Sequence, residues 1–157
     1  MKRLRKLLLF LAAVQVVNTV SGIVLKSRFL SQQLGEGEIN AVAVSGGAEE
    51  KVTSADFRGG YLRAVMGGVE LDLTEATIDD PPATLEMTVV MGGAEIAVPE
   101  GWKVRDDTRP VLGGVHSHNE GGVGDEWEPP DLVLTGKVIM GGVLITHKKA
   151  DKVLEAV

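Results

Sequence analysis

One short phrase recurs along this chain, in which apolar residues run into a pair of glycines. It occurs four times, and the first glycines of the four copies are Gly67, Gly92, Gly113 and Gly141. The intervals between them are 25, 21 and 28 residues. Recurrence at such intervals is the signature of supersecondary units that stack on one another. The phrase therefore predicts a repeat architecture in which the chain turns at each glycine pair.

The residues between the glycine pairs predict β-strands. Leu85, Met87 and Val89 alternate with Glu86 and Thr88, which is typical of a strand with one buried face. Aromatic residues make up only 4% of the chain, so its core has to be built from Val, Leu, Ile, Ala and Met. We predict six of the glycine pairs to be structural corners: Gly46 and Gly47, Gly59 and Gly60, Gly67 and Gly68, Gly92 and Gly93, Gly113 and Gly114, and Gly141 and Gly142.

Two architectures explain these corners. Each pair is the two-residue turn of a β-hairpin, or each marks a corner where the coils of a solenoid stack. Independent hairpins do not require the same Met or Leu before every pair, whereas stacked coils place like residues on like. The pattern thus favours an all-β, single-stranded β-solenoid or β-helix-like repeat domain over residues 39–147.

The first thirty residues predict a helix embedded in a membrane. Four of the first six residues are basic, and the nineteen residues from Leu7 to Leu25 include no charge. Nineteen residues of helix extend about 28 Å, close to the hydrocarbon thickness of a bilayer. We favour a single transmembrane span within residues 1–30. A cleaved signal peptide, an interfacial amphipathic helix and a buried soluble helix are the alternatives.

The charges that flank this segment predict its orientation. The four N-terminal basic residues outnumber Lys26 and Arg28 on the other side, so the positive-inside rule predicts a cytoplasmic N-terminus and an extracytoplasmic domain. Residues 31–38 form a predicted polar hinge before the β domain. Residues 148–157 carry apolar side chains at helical spacing, which predicts a short C-terminal capping helix.

The remaining charges exclude one class of partner. All 22 acidic residues follow residue 28, together with only ten basic ones. A domain this acidic repels the phosphates of nucleic acids, so we exclude nucleic-acid binding. The chain has no cysteine and no motif for a nucleotide, and we therefore expect no cofactor.

Few residues bear chemistry of their own. His116 and His118 alternate after one glycine pair, and His147 has a similar place in the last repeat. These histidines are candidate metal ligands, although polar residues at a solvated strand edge explain them as well. Trp127, in an acidic interruption of the repeat, is a candidate anchor for a partner protein unless it covers the side of the domain. No nucleophile or carboxylate pair has catalytic spacing, so we expect no enzymatic activity.

Two stretches resemble a known family. The first is FRGGYLRAVMGGVELDLTEA from Phe57, and the second is MGGAEIAVPEGWKV from Met91. They resemble the C-terminal domain of LiaF-type proteins, also called cell-wall-active antibiotics response proteins, and the resemblance covers roughly residues 39–147. It implies a β-helical domain tied to a membrane segment, with no catalytic residues. Such regulators often carry several membrane helices, whereas this sequence has one candidate.

The resemblance also implies a role. In regulatory members the domain acts negatively on an envelope-stress histidine kinase. We therefore expect a bacterial, membrane-anchored, non-catalytic module that regulates or scaffolds the cell-envelope stress response through contact with a protein such as a sensor kinase. The alternative is a structural β-solenoid that assembles with further copies of itself at the membrane.

Overall fold

The computed structural model describes residues 34–118 and 129–149, which all belong to the second of two units, Gln33–Val157. The predicted membrane helix, Trp127 and residues 150–157 of the predicted C-terminal cap lie outside the described residues. Neither described range contains a helix with the length and hydrophobicity of a membrane span.

Ten β-strands make up the described part of the chain: β1 (Glu38–Val44), β2 (Gly47–Lys51), β3 (Gly59–Val65), β4 (Gly68–Asp72), β5 (Ala83–Val90), β6 (Gly93–Pro99), β7 (Val104–Val111), β8 (Gly114–His118), β9 (Leu132–Ile139) and β10 (Gly142–Lys148). The predicted all-β class is therefore confirmed. β1 begins one residue before the predicted start of the domain, and β10 ends one residue after its predicted end.

The odd-numbered and even-numbered strands form two separate sheets. Their orders are β1-β3-β5-β9-β7 and β2-β4-β6-β10-β8, and all the neighbours are parallel. A glycine pair joins each odd strand to the next even strand, so the chain crosses from one sheet to the other there. A hairpin would instead pair these two strands antiparallel within one sheet. The hairpin alternative is therefore wrong.

The stacked strands are in register at the glycine pairs. Gly47 pairs with Gly68, Gly68 with Gly93, Gly93 with Gly142, and Gly142 with Gly114. Each position of the recurring phrase thus forms a row that crosses the strands. Successive members of such a row are separated by the strand spacing of about 4.8 Å.

The last two strand pairs depart from the order of the chain. β9 lies between β5 and β7, and β10 lies between β6 and β8. A solenoid wound in chain order would place β7 directly beside β5. The single-stranded solenoid is therefore not confirmed, and the structure shows two parallel sheets into which the final strand pair is inserted.

Alternating side chains of the strands build one core. Leu85, Met87 and Val89 of β5 are fully buried, as the alternation predicts. Inward-facing residues of both sheets belong to the same hydrophobic cluster, which includes Phe57. The Phe57 ring stacks on Trp102 with the centroids 6.4 Å apart, so Trp102 is a packing residue. Burying a Leu or Met side chain contributes about 1.5–3 kcal/mol, which makes this cluster the main stabilising feature.

The β7 edge carries features that oppose the addition of another strand. Pro110 has no N–H to donate to a neighbour. Asp106 pairs with the fully buried Leu134, so a carboxylate occupies a position that faces the core in the adjacent strand. Proline and inward-pointing charges are the features by which natural sheets protect their edges.

Candidate binding face at the glycine pairs

The residue before each of five glycine pairs adopts the left-handed helical conformation. Its φ is 54° at Ser45, 54° at Met66, 53° at Met91, 57° at Leu112 and 53° at Met140. This conformation interrupts the alternation of the odd strand at its last step. The side chain is consequently directed to solvent where an uninterrupted strand would direct it to the core.

Four of these residues form an exposed apolar row, which we call the methionine row. In stacking order it comprises Met66, Met91, Met140 and Leu112, with exposed fractions between 53% and 79%. The left-handed conformation costs a residue other than glycine or asparagine about 1–2 kcal/mol. Because these side chains are more than half exposed, burial offsets only part of this cost, and the stability of the fold is a poor explanation of the row.

Other exposed apolar side chains gather beside this row. Seven large hydrophobic side chains are exposed among the described residues, and six lie on strands or corners next to the glycine pairs. In addition to the methionine row they include Val111 at the end of β7 and Leu144 on β10, whereas Leu34 lies apart. Concentrated exposed apolar surface marks an interaction site more often than scattered single residues do.

The first glycines of the pairs form a second row, the corner row. At each of four positions a Cβ would overlap the carbonyl oxygen of the preceding member of the row: Gly67 on Gly46, Gly92 on Gly67, Gly141 on Gly92, and Gly113 on Gly141. Glycine is therefore required wherever another corner lies underneath. Gly46 begins the row, and the space around it is open.

Four of the five second glycines form a third row, the groove row, which comprises Gly47, Gly68, Gly93 and Gly142. A Cβ at Gly93 would come no closer than 3.5 Å to another atom, and one at Gly47 would meet nothing within 4 Å. Packing therefore does not require glycine here. Because these residues carry no side chains, they form the floor of an open groove of about 830 Å³ on the outer face of the second sheet.

One side of the groove is lined by the next outward-facing residue of each strand: Glu49, Glu70, Glu95, Leu144 and His116, in stacking order. We call the three glutamates the acidic wall. Among the described residues, Glu95 forms an ion pair with Lys148 at 3.8 Å. The structure gives no such pair to Glu49 or Glu70 within that part of the chain. The groove is therefore apolar at its floor and negatively charged along one side.

Asp72, a carboxylate near the groove, has a structural role in a turn. Asp72 ends β4 and accepts hydrogen bonds from the Thr74 amide at 2.9 Å and the Thr74 hydroxyl at 2.7 Å. Burial raises the pKa of Asp72, but these hydrogen bonds and nearby Lys51 outweigh it, so the pKa is lowered overall. Asp72 fixes the turn after β4, whereas the acidic wall faces the groove.

The structure does not bring His116 and His147 together. His116 is exposed on the outer face of the second sheet, whereas His147 is buried on the inner face, with its Nε2 3.2 Å from the carbonyl oxygen of Trp102. His118 ends β8, where its backbone pairs with Thr146. The described residues contain no group of three potential ligands that could hold a metal ion.

One predicted pair of corner glycines has another location. Gly59 and Gly60 are the first two residues of β3 and lie inside the sheet, with φ values of 109° and 129°. A Cβ on Gly59 would overlap the backbone of Thr84, and one on Gly60 the backbone of Ile39. These two glycines allow neighbouring strands to approach, and they do not turn the chain.

The groove and the methionine row are missed by sequence reasoning. Alternation continues from Leu62 and Ala64 to Met66 and therefore assigns Met66 to the core. The available signal is the repeated placement of a large apolar residue directly before two glycines, where the chain has to turn. A turn that ends the alternation exposes that side chain.

Comparisons of the chain with protein-family models, with curated proteins and with solved structures each found no match.

Proposed function

We propose that this protein is a non-catalytic module that binds another protein through the methionine row and the adjoining groove. The observation that carries the proposal is the conformation of the methionine row. Met66, Met91 and Met140 adopt an unfavourable left-handed backbone conformation, and more than half of each side chain lies in water. Methionine is common at surfaces that adapt to a partner, because its side chain is flexible and polarisable.

A finer description of the fold belongs to the same proposal. The domain is a β-solenoid whose last coil, β9 and β10, is inserted between the third and fourth coils. The parallel register of the five glycine-linked strand pairs supports this description. In such a fold one edge repeats the same residue from coil to coil, which suits it to present a linear binding surface.

We further propose that residues 1–30 anchor the module in the bacterial membrane, with the domain outside and a sensor kinase among its candidate partners. The uncharged segment and the basic N-terminus support the anchor, and the resemblance to LiaF-type domains supports the partner. Fractionation of cells with external protease tests the location. A chain that pellets with membranes and loses its domain to protease fits the proposal, and a soluble chain contradicts it.

Site-directed photo-crosslinking tests the contact itself. A photoreactive amino acid replaces Met66, Met91 or Met140 in turn in the full-length chain, and Thr88 or Lys137 on the outer face of the first sheet serves as the control. We expect the same crosslinked partner from all three methionine positions and none from the controls. Equal crosslinking from both sets, or none from the methionine row, contradicts the proposal.

Self-assembly is the second candidate function, and one observation favours it. Gly46 is glycine although nothing lies within 4 Å of a Cβ there, as though another corner stacked on it. The protected edge at β7 opposes continuous head-to-tail growth. Sedimentation of the full-length chain in detergent distinguishes the two: filaments or large oligomers that dissociate in Gly46→Val support assembly, and a monomer at all concentrations excludes it.

A further inference from the structure

The groove has a shape that suits close contact with an extended ligand. Its floor is the groove row, where successive strands expose backbone without side chains. From Gly47 on β2 to Gly142 on β10 the floor crosses four strands, so it extends about 14 Å at the usual strand spacing. An extended polypeptide covers this length with about four or five residues.

The acidic wall determines which charge that ligand carries. Glu49, Glu70 and Glu95 occupy directly paired positions on three neighbouring strands. Like charges that lie directly opposite one another across strands are destabilising, and these repel each other over about 5 Å. Of the three wall glutamates, only Glu95 has an ion pair within the described residues, with Lys148 at 3.8 Å, so the wall retains negative charge along the groove.

We propose that the groove binds an extended, lysine-bearing amphipathic segment of the partner protein. The lysine stems lie on the glycine floor while their ammonium groups reach the acidic wall, as long basic side chains do at apolar surfaces. The apolar residues of the segment contact Leu144 and the methionine row. This inference rests on the proposed protein-binding function, and it adds the chemistry of the partner and the position that it occupies.

The charge balance of the site selects a polypeptide over other ligands. A nucleic acid or an anionic lipid surface would present phosphates to the acidic wall and would be repelled. A small polyamine would satisfy the glutamates but would leave Leu144 and the exposed methionines without a partner. The combination of acidic wall, bare floor and apolar row therefore fits alternating basic and apolar side chains.

Peptide titration of the full-length chain in a non-ionic detergent tests the inference. The probe is a fluorescent, capped heptapeptide of alternating lysine and leucine, and binding is measured by fluorescence anisotropy. We expect the triple variant Glu49→Gln, Glu70→Gln, Glu95→Gln to bind about tenfold more weakly, since three exposed ion pairs together contribute about 1.4 kcal/mol. Gly68→Val, which fills the floor without changing charge, also weakens binding.

A second triple variant is the matched control. Asp79→Asn, Glu86→Gln and Glu100→Gln remove the same net charge from exposed positions outside the groove. We expect this variant to bind the probe within about twofold of the wild type, because these carboxylates do not line the groove and salt at 0.1 M screens exposed charges over about 10 Å. Equal weakening by both triples would mean that only bulk charge attracts the peptide, and would overturn the inference.

Two further outcomes separate the inference from the function on which it rests. If spermine displaces the peptide at an equal concentration of positive charge, the groove binds a polyamine and not a polypeptide, and the inference is overturned. Failure of the peptide to bind, while crosslinking from Met91 persists, overturns the groove as the site of a basic segment but leaves the protein-binding function intact. Loss of both peptide binding and crosslinking overturns the inference and the protein-binding function together.

Discussion

The corner row and the groove row lie one residue apart in each glycine pair, yet different forces act on them. In the corner row a side chain would overlap the carbonyl oxygen of the stacked corner, as at Gly92 on Gly67. In the groove row a side chain has room, as at Gly93, and glycine in a strand costs about 0.5–1 kcal/mol relative to alanine. The first glycine thus serves the fold, and the second shapes a surface at some cost to stability.

The largest expected effect is in the corner row. Gly92→Ala should lower the free energy of unfolding by about 3 kcal/mol, because its Cβ overlaps backbone that cannot move independently. Gly46→Ala is the matched control, since the same substitution meets open space, and it should change stability by less than about 0.5 kcal/mol. Urea denaturation of both variants measures the difference. Similar losses at the two positions would remove the distinction between stacked and unstacked corners.

The next effect concerns the residue before the pair. Met91→Asn should raise the free energy of unfolding by about 1 kcal/mol, because asparagine tolerates the left-handed conformation that methionine adopts at a φ of 53°. Thr88→Asn is its control, on an ordinary strand position, and should be neutral or destabilising. Urea denaturation of the two variants measures the difference in their free energies of unfolding. A destabilised Met91→Asn would show that the methionine row contributes to the fold after all.

A smaller gain is expected in the groove row. Gly93→Ala should stabilise the domain by about 0.5 kcal/mol, since its Cβ makes an ordinary contact of 3.5 Å and restricts the unfolded chain. Thermal unfolding followed by circular dichroism detects the shift, with Gly92→Ala as the opposite extreme. If Gly93→Ala destabilises the protein by more than 1 kcal/mol, the two glycine rows obey the same constraint.

The smallest effect is electrostatic. Glu70→Gln should stabilise the domain by a few tenths of a kcal/mol at low salt, because Glu70 lies between Glu49 and Glu95, and less at high salt. Glu86→Gln is the control, since Tyr61 and Thr135 flank it on the neighbouring strands. Denaturation at two ionic strengths measures this. An equal response of both variants would mean that the acidic wall carries no special repulsion.

Much of the fold follows from local pattern, while the strand order does not. Alternation predicts the buried residues of β5, such as Leu85, because burial of one face acts strand by strand. The phrase before each glycine pair is nearly the same, so it fits several neighbours and cannot specify which strands pair. Pro110 and Asp106 indicate where β7 belongs in the order, since both residues suit an edge strand and neither suits a central strand.

The candidate site is less predictable than the fold because its parts lack conventional signals. A search for chemistry selects His116, His118, His147 and Trp127. His116 does line the groove, but the floor of the groove consists of glycines, which carry no side chain. Its acidic wall emerges only when parallel register brings Glu49, Glu70 and Glu95 to paired positions. Residues 21 and 25 positions apart in the chain become neighbours in this way, and only knowledge of the strand order reveals it.

The insertion of the last strand pair has a consequence for synthesis on the ribosome. Among the described strands, β7 pairs only with β9, and β8 only with β10. When residues up to His118 have emerged, β7 and β8 therefore have no strand to pair with. At this stage β5 and β6 each have one edge without a neighbouring strand. The domain cannot be completed progressively from its N-terminus, because residues 132–148 have to arrive before β7 and β8 can dock. A chain that stops before residue 132 therefore lacks β9 and β10 and leaves β7 and β8 without their neighbours in the two sheets.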